Sequence, residues 1–123
     1  MSTNKGGNLK RIQQVVDLIQ DKKGTNLVVL DMTDHSVAAD YFVIADGDNP
    51  KHVQALAESV MEGLEEEPLH QEGLDSRHWV ALDYGDLWVH LFEAEVRLFY
   101  DLDGLWADRI VSPEELDLEL QAQ

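Results

Sequence analysis

The chain has 123 residues, 44% of them hydrophobic, enough for one buried core and too few for two. Its 25 acidic and 9 basic side chains give a net charge of −16, which argues against nucleic-acid binding, because gripping a phosphate backbone requires Lys and Arg to displace its counterions. The absence of cysteine excludes disulfides, thiol nucleophiles and thiolate metal sites, and no apolar run reaches the ~18 residues of a membrane span.

Residues 1–23 hold five of the nine basic side chains (Lys5, Lys10, Arg11, Lys22 and Lys23) against Asp17 and Asp21, so the acidity belongs to the remainder. A body of that charge favours a basic protein partner, since opposite fields speed encounter and select for it. Residues 1–7 are polar and Gly-rich and are expected to be a flexible N-terminus. They contain no apolar leader segment, so a soluble, cytoplasmic protein is expected. Asn8 is placed to cap a helix whose apolar positions Leu9, Ile12, Val15, Val16 and Ile19 recur at helical spacing. Lys22 and Lys23 followed by Gly24 predict its end, with Gly24 as the residue that tolerates positive φ.

Leu27–Leu30 and Tyr41–Ala45 are short apolar runs expected to be buried strands joined antiparallel. Asn49 and Pro50 then open a helix with the stripe Val53, Leu56, Ala57, Val60 and Leu64, closed before Pro68. His78–Leu82 and Leu87–Phe92 flank Asp83-Tyr84-Gly85-Asp86 and predict a hairpin with Gly85 in the turn. A helix is expected over 93–100, and Ser112-Pro113-Glu114-Glu115 reads as a capping box opening a short acidic helix or tail over 112–123. A helix between the second and third strands requires them to be parallel if adjacent, while the hairpin is antiparallel. The expected fold is α/β, a mixed sheet flanked by helices, with one domain over 8–111.

No phosphate loop, HExxH or GxSxG is present, and the histidines at 35, 52, 70, 78 and 90 lack ligand spacing. His90 alternates with Trp88 and Phe92 and reads as a sheet-face residue. No metal or cofactor is expected, although His35, Asp31 and Asp40 could be assembled in space. Asp31 and Asp40, at the end of one strand and the start of the next, carry the alternative reading of a metal-dependent nucleotidyltransferase or phosphohydrolase. The plainer reading has both ordering local backbone. The turn from Gly47 to His52 reads as a helix cap, since Asp46 and Asp48 would repel an anion. Trp79, Leu82, Asp83, Tyr84, Gly85 and Asp86 gather large apolar groups and acids around one turn, which fits an interface hot spot for a cationic partner and equally fits a Trp79 that belongs to the core beside a solvated turn.

The blocks Ala39-Asp40-Tyr41-Phe42-Val43-Ile44, Gly47 to Val53, Trp79 to Asp86, Val89-His90-Leu91-Phe92 and Arg97 to Leu102 with Leu105-Trp106 together resemble the ribosomal silencing factor (Iojap) family. The chain departs from that pattern at Asp46, Asp48 and Asn49, where Ser or Thr is usual, and at Trp88, where a small β-branched residue is usual. The resemblance implies a sheet like that of nucleotidyltransferases without their catalytic residues, and a non-enzymatic role. It implies binding to universal ribosomal protein fourteen of the large subunit, blocking of small-subunit joining under nutrient limitation, and a homodimer off the ribosome. Carried over residue by residue, the contact surface would be Trp79, Leu82, Asp83, Tyr84, Gly85 and Asp86.

Overall fold

A computed structural model describes residues 3–33, 39–116 and 118–120, the side chains of 3–8, 102 and 103 excepted. The first helix, α1, spans Thr3–Asp21, so Asn8 lies within it rather than at its cap. Ile12, Val15, Val16 and Ile19 are fully buried along one face, as their spacing predicts. The helix ends differently from expectation. Lys23, not Gly24, takes the left-handed conformation, at φ 66°. The Gly24 and Lys23 amides donate to the carbonyls of Ile19 and Gln20, which closes the last turn. Gly24 is needed for space instead, because a Cβ there would lie 2.4 Å from Ile19 Cγ2. Gly24→Ala should therefore destabilise the fold by about 2 kcal/mol through overpacking, read as a lower urea midpoint.

Strands β1 (Thr25–Asp31) and β2 (Tyr41–Gly47) pair antiparallel, in line with their short connection. Helix α2 (Pro50–Gly63) begins at the expected cap, where Asn49 Oδ1 accepts the His52 amide at 2.9 Å. Because His52 Nδ1 accepts the Asp48 amide, its proton lies on Nε2, which donates to the Lys22 carbonyl at 2.7 Å and joins α2 to the end of α1. After β3 (His70–Glu72) come β4 (Trp79–Asp83) and β5 (Leu87–Glu93), the expected hairpin. Then follow α3 (Ala94–Tyr100), α4 (Leu102–Leu105), a 3₁₀ turn at Ala107–Arg109, and β6 (Ile110–Val111). The capping box forms between Ser112 and Glu115, but it opens only a 3₁₀ turn at Pro113–Leu116.

The sheet order is β3-β4-β5-β2-β1-β6. β2 pairs parallel with β5, the second strand of the hairpin rather than its first, and the other pairings are antiparallel. The fold is therefore the mixed α/β sheet with flanking helices. Alternation along the strands divides the core in two. Val43, Ala45, Leu82, Val89 and Leu91 pack under α1 and α2, whereas Leu30, Phe42, Ile44 and Phe92 face the other way, toward α3. Among the described residues, no helix is long and apolar enough to cross a membrane.

Candidate functional site

Helix α3 is only seven residues long, too short to hold itself in water, so tertiary anchors must place it. The principal one is Arg97, whose guanidinium donates to Asp46 Oδ1 at 2.8 Å and to the Asn26 carbonyl. Asn26 reaches Asp46 Oδ2 with its amide at 2.9 Å and itself takes φ 53°. Both charges of the Arg97–Asp46 pair are buried. Asp46, expected at the rim of the turn before α2, is thus turned inward beneath α3.

With Arg97 pointing in, the helix exposes Leu98 and Phe99 almost completely, at 81% and 82%, and half of Tyr100. Three consecutive apolar residues sweep about 200° around a helix, so they cannot all be buried by one contact. The run Leu98-Phe99-Tyr100 carries that signal in the sequence itself. Val96, Phe99 and Tyr100 line a groove of about 460 Å³ together with His78 and Trp79. The Trp79 ring stacks on Phe92 at 4.8 Å and meets Tyr100 at 5.0 Å. Glu95 lines the groove, and Glu93 lies at its edge in an ion pair with His78 at 2.8 Å.

The predicted hairpin residues are not brought together as one exposed cluster. Trp79 and Asp83 are the two ends of β4, roughly 13 Å apart. Leu82 and Tyr84 face α1 and α2 and belong to the core, with Tyr84 only 4% exposed. The Tyr84 hydroxyl has no hydrogen-bond partner among the described residues; burial pushes its pKa up to about 12, with Glu66 adding to the rise and Arg11 opposing it. At the turn, Gly85 takes φ 89° and donates its amide to Asp83 Oδ1 at 2.7 Å. The Asp86 carbonyl receives the amides of Asp40 and Tyr41, and its carboxylate pairs with Arg11, which also binds Glu66 at 2.6 Å. An exposed aromatic projection at this turn is therefore corrected: the rings at 79 and 84 lie on opposite faces of the sheet. Trp88, the unusual strand residue, packs on Phe42 and donates its indole N–H to the Gly85 carbonyl at 3.2 Å, bracing the same turn.

Asp31 accepts the Thr33 amide and hydroxyl at 2.9 and 2.6 Å, which is the local backbone role. Tyr41 pairs with Asp31 across the strands, and burial, then the charges of Asp31 and Asp40, raise its pKa. His35 lies outside the described residues. Among the described residues, no group of three or more His, Asp or Glu is placed to hold a metal. The groove offers apolar area beside carboxylates, an arrangement suited to contact.

A model of the family described as ribosomal silencing factor during starvation matches residues 7–123. The ribosomal silencing factor RsfS of Halalkalibacterium halodurans is 36% identical over 104 residues, covering 82% of this chain and 89% of that protein. A mouse protein named for mitochondrial assembly of the ribosomal large subunit is 27% identical over 104 residues, 80% of this chain and 46% of its own length. A crystal structure from Chromobacterium violaceum superposes with a TM-score of 0.77 at 31% identity, covering 84% of this chain and 88% of that one.

Proposed function

The chain belongs to the ribosomal silencing factor family, and from that premise we propose that it represses translation by occupying the joining face of the large ribosomal subunit. The partner in this reading is universal ribosomal protein fourteen, and the effect is steric exclusion of the small subunit when nutrients are scarce. The family's description, with its reference to starvation, and the large-subunit name of the mouse relative support this direction. The family is named for silencing and not for a reaction, so a ribosome-associated regulatory factor, rather than an enzyme, is the role it supports.

The observation that carries the proposal is the groove lined by Trp79, Glu95 and the exposed Phe99 and Tyr100. Buried aromatic area supplies affinity at such a contact, and carboxylates around it steer and orient a cationic partner. Trp79 is the hairpin's direct contribution. Asp83 presents further negative charge at the turn, where Asp86 is paired with Arg11, Gly85 shapes it, and Leu82 and Tyr84 act from beneath as packing. Off the ribosome, the same groove is apolar area that a second copy would cover as a homodimer. The setting proposed is the cytoplasm, where the subunits join.

Co-sedimentation with large subunits tests the reading. Trp79→Ala should weaken binding by about 2 kcal/mol or more, roughly thirtyfold. Phe99→Ser, which removes an exposed ring without opening the core, should weaken it in the same direction. Glu95→Lys should chiefly slow association and flatten its salt dependence. Tyr84→Ala is unsuitable here because it would excavate the core. Undiminished binding by both aromatic variants would overturn the groove as the contact.

A further inference from the structure

β5 places His90 among rings on the α3 side of the sheet, with Phe42 centred 4.8 Å away, Trp79 and Trp88 at 6.0 Å and Phe92 at 6.4 Å. The imidazole is 5% exposed. A polar ring in such a layer costs free energy that a leucine or phenylalanine would not. One of its nitrogens is used: Trp79 Nε1–H donates to His90 Nδ1 at 3.1 Å. The ring proton of the neutral imidazole must then be on Nε2, which is buried with no hydrogen-bond partner among the described residues. Burial drives the pKa down to about 4, so this neutral form persists at cellular pH. What histidine supplies that an apolar residue cannot is the acceptor for one indole.

That indole is a wall of the groove. Its χ2 torsion is broad, so stacking alone leaves open the face on which the N–H emerges. An indole N–H that loses its acceptor turns toward water, and for this half-buried ring, which lines the groove, such a rotation would change the groove's shape. We propose that His90 is a positioning residue, fixing the Trp79 indole in the orientation that keeps the groove open for its ribosomal partner. This deepens the contact proposed above and rests on it.

The test compares the full-length wild type with His90→Phe, which fills the volume but accepts no hydrogen bond. It adds His90→Asn, whose side-chain amide oxygen takes the place of Nδ1, and Trp79→Ala, which also assigns the indole resonance by its disappearance. Hydrogen exchange of the Trp79 indole N–H, followed by NMR, reports the bond without any ribosome, and thermal melting reports the fold. The wild-type indole should be protected from exchange. Protection should vanish in His90→Phe while melting stays cooperative, with affinity for purified large subunits falling about tenfold. His90→Asn should restore protection and most of that affinity.

Unchanged protection or affinity in His90→Phe overturns the proposal, as does His90→Asn behaving no better than His90→Phe. If His90→Phe does not fold, the wild-type and His90→Asn indoles decide, and free exchange in both overturns it. Wild-type binding by Trp79→Ala would instead remove the contact reading, leaving indole exchange to judge the positioning role alone.

Discussion

Replacing Asp46 by alanine should cost about 3–5 kcal/mol of stability, because it strands the buried guanidinium of Arg97. The loss would exceed the direct attraction between the two groups. The Arg97 guanidinium was taken out of water when α3 docked, and without the carboxylate its desolvation is no longer offset. Asp46 also receives the Asn26 amide, so the alanine leaves a second donor short of its acceptor. Urea denaturation should show the midpoint falling with the slope unchanged. Asp46→Asn, which retains an acceptor oxygen, should lose less. An apolar pair, Asp46→Leu with Arg97→Met, should recover much of the stability, since the pair's value lies mostly in being complete. Because the same pair fixes α3, Asp46→Ala should also disorganise the Phe99–Tyr100 wall and weaken binding to large subunits.

The second large effect is acid sensitivity from His90. Its folded pKa, about 4, lies below the ordinary 6.5 because burial penalises the charged ring. Above pH 6.5 neither the folded nor the unfolded histidine is protonated, and no stability is lost. Between 6.5 and about 4 the unfolded chain binds a proton that the folded chain refuses, so stability falls as the pH falls. The gap corresponds to about 3 kcal/mol across that window. Other groups titrate there too, and neutralising carboxylates relieves the self-repulsion of a chain at −16. The quantity to measure is therefore the difference between wild type and His90→Asn in urea midpoints from pH 7.5 to 4. That difference should change steadily through the window, and a difference independent of pH would contradict the neutral, buried imidazole.

Much of the scaffold was legible from local pattern. The Asn49-Pro50 cap and the stripe from Val53 to Val60 gave α2, and alternation along β5 placed His90 on the sheet face. β3 was not legible, since His70-Gln71-Glu72 is polar and exposed and joins the sheet only through backbone pairing with β4. β6 is two residues long, below the reach of any period. Gly24 misled because a glycine after a helix suggests positive φ, whereas here it makes room for the Ile19 side chain. The candidate site was half visible. Parity along β4 already separates Trp79 from Leu82, but acids and rings close in sequence suggested a single surface. The groove's other wall depends on Arg97 pointing inward to Asp46, a long-range pairing that no local pattern announces.

The parallel junction of β2 with β5 also constrains how the molecule comes into being. Residues 41–47 must wait for 87–93 before the middle of the sheet can close. A ribosome elongating this chain therefore releases α1, α2 and the first two strands before their central neighbour exists, and such distant pairing is slow to form. Phe99 and Tyr100 are translated later still, so the surface proposed for docking is complete only after residue 100 of the 123 has been made.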